Sequence, residues 1–225
     1  MNLAIIQARV GSTRLPFKMM LSLHGKPIIE WVVRRVQNSK LLDKIVVAIP
    51  DTKKDKILKN YLEKLGIEVF QGSENNVLER FYFASKKYNP KNIIRICADN
   101  PLICSNEIDN LIKFFSKNKC DYAYNHIPKN NLYPDGLGAE ITTFDNLQKM
   151  YNEVTEDKHK EHCMSYIVEN PDKFSIKTFN PTKELQYPNL KFDIDTIDDY
   201  IYLSSKNFDI DIKAKELINL FKEEK

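Results

Sequence analysis

A strong excess of charge is missing from this chain. Its 225 residues carry 34 Lys and Arg against 31 Asp and Glu, a net charge of +3. A dedicated nucleic-acid binder would show a strongly basic face, so the balance argues against a nucleic-acid partner. Long apolar runs are missing too. None approaches the ~20 residues that a membrane helix needs, and no membrane partner is expected. Met1-Asn2 leads into a short strand and then charge, without a secretory pattern. Cysteine is scarce. Cys97, Cys104, Cys120 and Cys163 stand at spacings that match no metal-ligand signature. A reduced, cytoplasmic chain fits this usage, with Cys97 a small buried hydrophobe. There is no internal repeat, no low-complexity segment and no clear linker. What remains is 42% hydrophobic, enough for one full core.

Apolar strands alternate with helical patterns through the first half. Strands are expected at 2–7, 44–49, 67–70 and 92–97. Helices are expected at 27–38, opened by Pro27, then at 53–65, 75–88 and 105–116. That order predicts an α/β fold, a doubly wound, mostly parallel sheet with helices on both faces. The second half is less regular. Short strands are expected at 122–124, 138–143, 174–179 and 190–193, and helices at 145–154, 156–170 and from 196 and 212. Residues 125–135 read as a mobile loop over the site, within a small accessory lobe of about 125–185 in an otherwise single domain. The Lys-rich runs at 86–91 and 213–225 read as solvated faces, and His24, His126 and His159 as solvent-facing.

Chemistry concentrates where the first strand ends. Ala8-Arg9-Val10-Gly11-Ser12-Thr13-Arg14-Leu15-Pro16-Phe17-Lys18 joins one glycine, two hydroxyls and three cations. In an α/β sheet a loop in that place binds phosphate-bearing ligands. Gly11 permits close backbone approach, and free N–H groups form an anion nest. Three further loops fall at strand ends: 71–76, 98–101 and 193–196. The last two carry Asp99 and the pair Asp193/Asp195. Cations and carboxylates on one rim suit a polyphosphate and a metal together, since Mg²⁺ takes one or two carboxylates and completes its shell with water and phosphate. Asp99 read alone is equally the cap of the following helix. Gly72 and Ser73 read either as base or ribose contacts or as a plain turn.

The run Ile6-Gln7-Ala8-Arg9-Val10-Gly11-Ser12-Thr13-Arg14-Leu15-Pro16, followed by Lys18, resembles the signature of cytidylyltransferases. That group includes 3-deoxy-manno-octulosonate and acylneuraminate cytidylyltransferases, and the nearest likeness is the spore-coat-polysaccharide-F branch. Further pieces agree in order: Gln71-Gly72-Ser73, Val77-Leu78-Glu79-Arg80, Arg95 to Pro101, Pro134-Asp135-Gly136-Leu137 with Glu140, Glu161-His162 and Ile194-Asp195-Thr196. The resemblance implies a nucleotidyltransferase that takes CTP and a small-molecule acceptor, releases pyrophosphate and feeds surface-polysaccharide synthesis. It implies catalytic roles for Lys18, Arg9 and Arg14, with Lys18 at the α-phosphate. It implies nucleotide contacts from Ala8, Gly11, Ser12, Gly72, Ser73 and Arg80. Mg²⁺ falls to Asp99 and Asp195, with Asp193 the alternative to Asp195. Acceptor contacts fall to Asp135, Glu140, Glu161 and His162, and a homodimer is expected.

Two positions depart from the family pattern. Phe17 stands where a glycine usually precedes the lysine, and Asn76 where an aspartate is common. The acceptor is expected to be a phosphorylated sugar, polyol or similar metabolite, with an ulosonic or nonulosonic acid sugar as the alternative. Asp193-Ile194-Asp195 has the Asp-x-Asp form of a metal-dependent glycosyltransferase, which is a second reading. Phe17 invites a third, a nucleotide-binding module without turnover.

Overall fold

In a computed structural model, which describes residues 1–222, the first half follows the expected alternation. The last three residues of the Lys-rich run 213–225 lie outside the described residues. In chain order the elements are β1 (Asn2–Gln7), the short strands β2 (Ser22–Leu23) and β3 (Lys26–Pro27), α1 (Ile28–Gln37), β4 (Lys44–Pro50) and α2 (Lys56–Lys64). Then come β5 (Val69–Gly72), α3 (Val77–Lys86), β6 (Asn92–Cys97), α4 (Ser105–Lys117), β7 (Tyr122–Tyr124) and β8 (Glu140–Thr143). The chain continues through α5 (Phe144–Glu153), α6 (Asp157–Glu161), α7 (Ser165–Glu169), β9 (Ile176–Thr178), α8 (Ile197–Ser204) and α9 (Ala214–Phe221).

Seven strands form one sheet in the order β5-β4-β1-β6-β8-β7-β9. β1, the founding strand, is flanked in parallel by β4 and β6, and its interior residues are buried on both faces. Successive side chains of a strand point to opposite faces, which divides the core in two. Ala4 and Ile6 meet α1, α2, α4 and α9. Leu3 and Ile5 meet α3, α5 and α7. Helices on both faces make the central first-half strands predominantly apolar, which is why those runs were legible. β8 runs antiparallel to both its neighbours, so the sheet is mostly, not wholly, parallel.

The stretch 125–185 is not a separate layer. β8 and β9 lie within it and extend the main sheet, while α5 and α7 cover one of its faces. Residues 125–135 form a packed strap: Asn125 and Tyr133 are fully buried. Asn125 Nδ2 donates to Glu107 O, and Asn131 Nδ2 donates to Thr178 Oγ1. Asparagine and tyrosine look like loop composition in sequence, but here their polar atoms tie the strap to α4 and β9. The helix expected at 156–170 breaks at 162–164, where Cys163 and Met164 turn into the core. The strand expected at 190–193 is reduced to a single bridge between Asp135 and Lys191. His24 is exposed as expected, but His126 and His159 are not; His159 is buried and shares a hydrogen bond with Ser165 Oγ at 2.7 Å. Among the described residues no helix is long and apolar enough to cross a membrane.

Candidate active site

The ends of β1 and β6 open onto a cavity of about 190 Å³. Ala8, Arg9, Ser12, Arg14 and Lys18 line it from the first loop. Asp99 and Asp195 line it from the acidic side, and Gln7, Arg95 and Cys97 form its floor. Three segments far apart in the chain thus meet at one sheet edge.

The first loop is held by its own hydrogen bonds. The N–H groups of Ser12 and Phe17 both donate to Val10 O, at 3.0 Å each. Val10 N donates to the buried Asp55 carboxylate at 2.8 Å. Asp55, which sequence reasoning passed over, anchors the loop from the turn before α2. Gly11 is not demanded by a positive φ, and a Cβ there would meet only the end of the Lys54 side chain. Phe17 is the strained position. Its φ of 58° and ψ of 18° are left-handed, the conformation a glycine adopts at no steric cost. The loop therefore keeps its path without glycine, and the Phe17 ring is half exposed rather than turned into the site. Phe17→Gly is expected to stabilise the protein by about 0.5–1 kcal/mol in urea unfolding, with turnover retained. A destabilised variant would show that the ring packs in a way that outweighs the strain.

Lys18 is the centre of the site. It is 7% exposed, and its ammonium donates to Ile194 O at 2.8 Å, Asp99 Oδ2 at 3.1 Å and Asp195 Oδ1 at 3.2 Å. Arg14 reaches the same Asp195 oxygen at 3.0 Å. Ile194 N donates to Asp99 O, which places the late segment beside the end of β6. Asp193 turns away towards Lys191, 3.4 Å off, and its Oδ1 is buried without a hydrogen-bond partner. Of the two late carboxylates, Asp195 is the one in the cavity. Thr196 and Asp199 form a capping box at the start of α8 and stiffen that segment.

The other expected site residues divide. Arg9 faces Glu161 across 3.9 Å, and both border a second depression beside Asn75 and Asn76. Asn76 caps α3 by accepting from Glu79 N, so it has a structural task without any charge. Ser73 Oγ accepts from Asn76 N, and Gly72 packs against Arg80; neither lines the cavity. Arg80, expected from the resemblance to contact nucleotide, is buried away from the cavity. It is 1% exposed, its Nη1 donates to Ser73 O, and its Nε and Nη2 have no partner. Burial pushes its pKa down to about 10, helped by the like charge of Arg9. Glu140 sits behind the cavity, paired with Arg95 and Tyr122, and His162 is an exposed residue at the end of α6. Cys97 reaches the cavity floor instead of the core, and burial holds its thiol up at about 12.

Asp135 stands near the acidic side without lining the cavity. Burial and the neighbouring Asp193 push its pKa up to about 6. A carboxyl with a raised folded-state pKa contributes stability below about pH 4, and that contribution is lost as pH rises through about 6. Asp135→Asn is therefore expected to gain melting temperature over the parent at pH 7.5 and little at pH 4.5. An equal shift at both values would refute the assignment.

Comparison with known proteins settles the family. The family model for cytidylyltransferases matches residues 3–224. The chain belongs to the cytidylyltransferase family. An uncharacterized protein of Methanocaldococcus jannaschii is 39% identical over 220 residues, spanning 96% of this chain and 88% of that one. The spore coat polysaccharide biosynthesis protein SpsF of Bacillus subtilis is 32% identical over 97% of this chain and 92% of its own length. The solved cytidylyltransferase from Leptospira borgpetersenii superposes with a TM-score of 0.88 at 30% identity, covering 99% of this chain and 94% of that one. This cytidylyltransferase is therefore a nucleotidyltransferase enzyme, with the α/β architecture expected from its sequence.

The donor set suits a hard divalent cation. Asp99 and Asp195 bring carboxylate oxygens to one point, already occupied by a positive charge, the Lys18 ammonium. Two carboxylates with no further side-chain ligand match Mg²⁺, which completes its shell from water and phosphate. Among the described residues no group of three or more His, Cys, Asp or Glu is placed to hold a metal.

Proposed function

We propose that this enzyme transfers the cytidylyl group of CTP to an oxygen of a phosphorylated sugar, polyol or similar small metabolite for surface-polysaccharide synthesis. The observation that carries this reading is the Lys18 ammonium shared by Asp99 and Asp195 beside the cationic loop. The acceptor oxygen attacks the α-phosphorus, the bond to the β-phosphate bridge breaks, and pyrophosphate leaves. An in-line displacement of this kind asks for positioning and charge neutralisation more than covalent help. Arg9 and Arg14 hold the outer phosphates, and backbone N–H groups of the loop add donors. Lys18 leaves the two carboxylates for the α-phosphate as the nucleotide enters. Bound Mg²⁺, held by Asp99 and Asp195, would supply charge neutralisation on the phosphate oxygens.

The relatives support the direction of this reading. SpsF is named for spore coat polysaccharide biosynthesis, and partial-length relatives such as the Bdellovibrio bacteriovorus protein are 3-deoxy-manno-octulosonate cytidylyltransferases. The glycosyltransferase reading loses its basis, because Asp193 and Asp195 do not converge on one point. Phe17 does not favour a module without turnover, since the loop path and Lys18 are both in place. The test is a pyrophosphate-release screen of four nucleoside triphosphates against sugar phosphates, polyol phosphates and acid sugars. Release with CTP and a phosphorylated acceptor is expected. Release only with acid sugars would move the acceptor class, and sugar transfer from a nucleotide sugar would overturn the reading.

A further inference from the structure

The floor of the cavity holds a charged residue with no assigned task. Arg95 interrupts the apolar run Ile93-Ile94-Arg95-Ile96 of β6. It lies directly across the sheet from Glu140 of β8, its register partner. Arg95 Nη1 donates to Glu140 Oε2, and Nε donates to Gln7 Oε1 at 3.1 Å. Glu140 is held in turn by the Tyr122 hydroxyl on its other oxygen. Two of the three guanidinium nitrogens are therefore fixed, and among the described residues Nη2 has no acceptor. The side chain lines the same cavity as Lys18, Asp99 and Asp195.

Stability gives no account of this arrangement. A buried ion pair in a sheet is about as stable as well-packed apolar residues of the same volume. The neighbouring His126 lies 3.9 Å from the same Glu140 oxygen, and burial holds its imidazole below the usual pKa, so it is neutral at pH 7. What the pair does achieve is a rigid guanidinium edge facing the cavity. Its place in the strand order matters. The triphosphate loop follows β1, and the loop after β5 lies on one side of it, while β6 and β8 lie on the other. With Lys18, Asp99 and Asp195 marking the reacting phosphorus, an acceptor approaches from the β6–β8 side, where Arg95 stands.

We propose that Arg95, braced by Gln7 and Glu140, selects the acceptor by binding an anionic group on it, carboxylate or phosphoryl. This rests on the transferase reading above and makes Arg95 a specificity residue for it. A guanidinium offers two parallel donors that match either oxyanion and discriminates against a neutral hydroxyl. Glu140 takes no part in contacting substrate; it is a positioning residue that aims the guanidinium.

The experiment uses the full chain, CTP and matched acceptors: glycerol 3-phosphate and glycerol, ribitol 5-phosphate and ribitol, 3-deoxy-manno-octulosonate and fructose. Pyrophosphate release confined to the anionic members is expected, and the phosphate and carboxylate arms tell which oxyanion is read. Arg95→Gln should raise the acceptor KM about 10–100-fold, the worth of hydrogen bonds to a charged group, with the CTP KM within about twofold. Because that variant leaves Glu140 unpaired, Arg95→Gln/Glu140→Gln is its partner if the single variant does not fold. Glu140→Gln alone keeps an acceptor for Arg95 and should lose less than Arg95→Gln. Equal use of a neutral acceptor, or equal changes in both KM values, would overturn the proposal while leaving the transferase reading intact. No pyrophosphate release with any pair, and no CTP binding by calorimetry, would remove both.

Discussion

Lys18→Met is expected to lower turnover by about 10²–10³-fold, the effect of removing one aimed charge from a transition state. Methionine keeps most of the buried aliphatic stem, so the fold should persist and circular dichroism should match the parent. On the proposed mechanism the loss should fall on kcat, because Arg9 and Arg14 would still hold the outer phosphates. A second signature follows from the ligand-free geometry. The ammonium neutralises Asp99 and Asp195 at 3.1 and 3.2 Å. Without it two carboxylates face each other, and the melting temperature should fall and recover on adding Mg²⁺. Near-parental turnover would sink the catalytic role of Lys18; a melting temperature indifferent to Mg²⁺ would count against the shared cation position.

Asp99→Asn carries the next largest effect. The amide keeps the size and an acceptor for Lys18 but removes the charge. Half-maximal Mg²⁺ should rise by about tenfold or more, equivalent to about 1.4 kcal/mol per tenfold. Turnover at fixed Mg²⁺ should fall by about 10² or more on the proposed mechanism, since a bound metal would contribute several kcal/mol of charge stabilisation. Asp195→Asn should behave likewise. Asp193→Asn should leave the Mg²⁺ titration in place, because that carboxylate faces Lys191 rather than the cavity. A titration shifted by Asp193→Asn and untouched by Asp195→Asn would reverse the assignment of the two.

The first-half fold was legible because its central strands β1, β4 and β6 are largely buried and its helices present an apolar face. Such elements announce themselves locally. Residues 125–185 did not. The strap at 125–135 owes its order to Asn125 and Asn131, whose side chains bond to partners as far away as Thr178. Local composition cannot distinguish such an asparagine from one in a solvated turn. The 162–164 break has the same origin: Cys163 and Met164 leave helical phase to fill the second core.

The site shows the same division. Arg9, Arg14 and Lys18 stood out in sequence because three cations cluster in the loop after the first parallel strand, and in the fold all three line one cavity. Arg95 had a signal, a charge inside an apolar strand, but its role depends on Glu140 lying opposite in another strand. Arg80 was singled out only through the family resemblance, since nothing in its helix shows that the 72–74 turn closes over it.

The sequence by itself determined the layered α/β sheet, the cationic loop after β1 and, through ordered motifs, membership of the cytidylyltransferase family. Those rest on local periodicity and on residue types at fixed spacing. Only the tertiary structure decided which carboxylates meet. Lys18 and Ile194 lie 176 positions apart, and the bond from Ile194 N to Asp99 O brings Asp195 into the cavity and leaves Asp193 outside it. Two aspartates of identical chemistry, two residues apart, acquire different environments from the non-local contacts that pin residues 190–194 against Asp99 and Asp135.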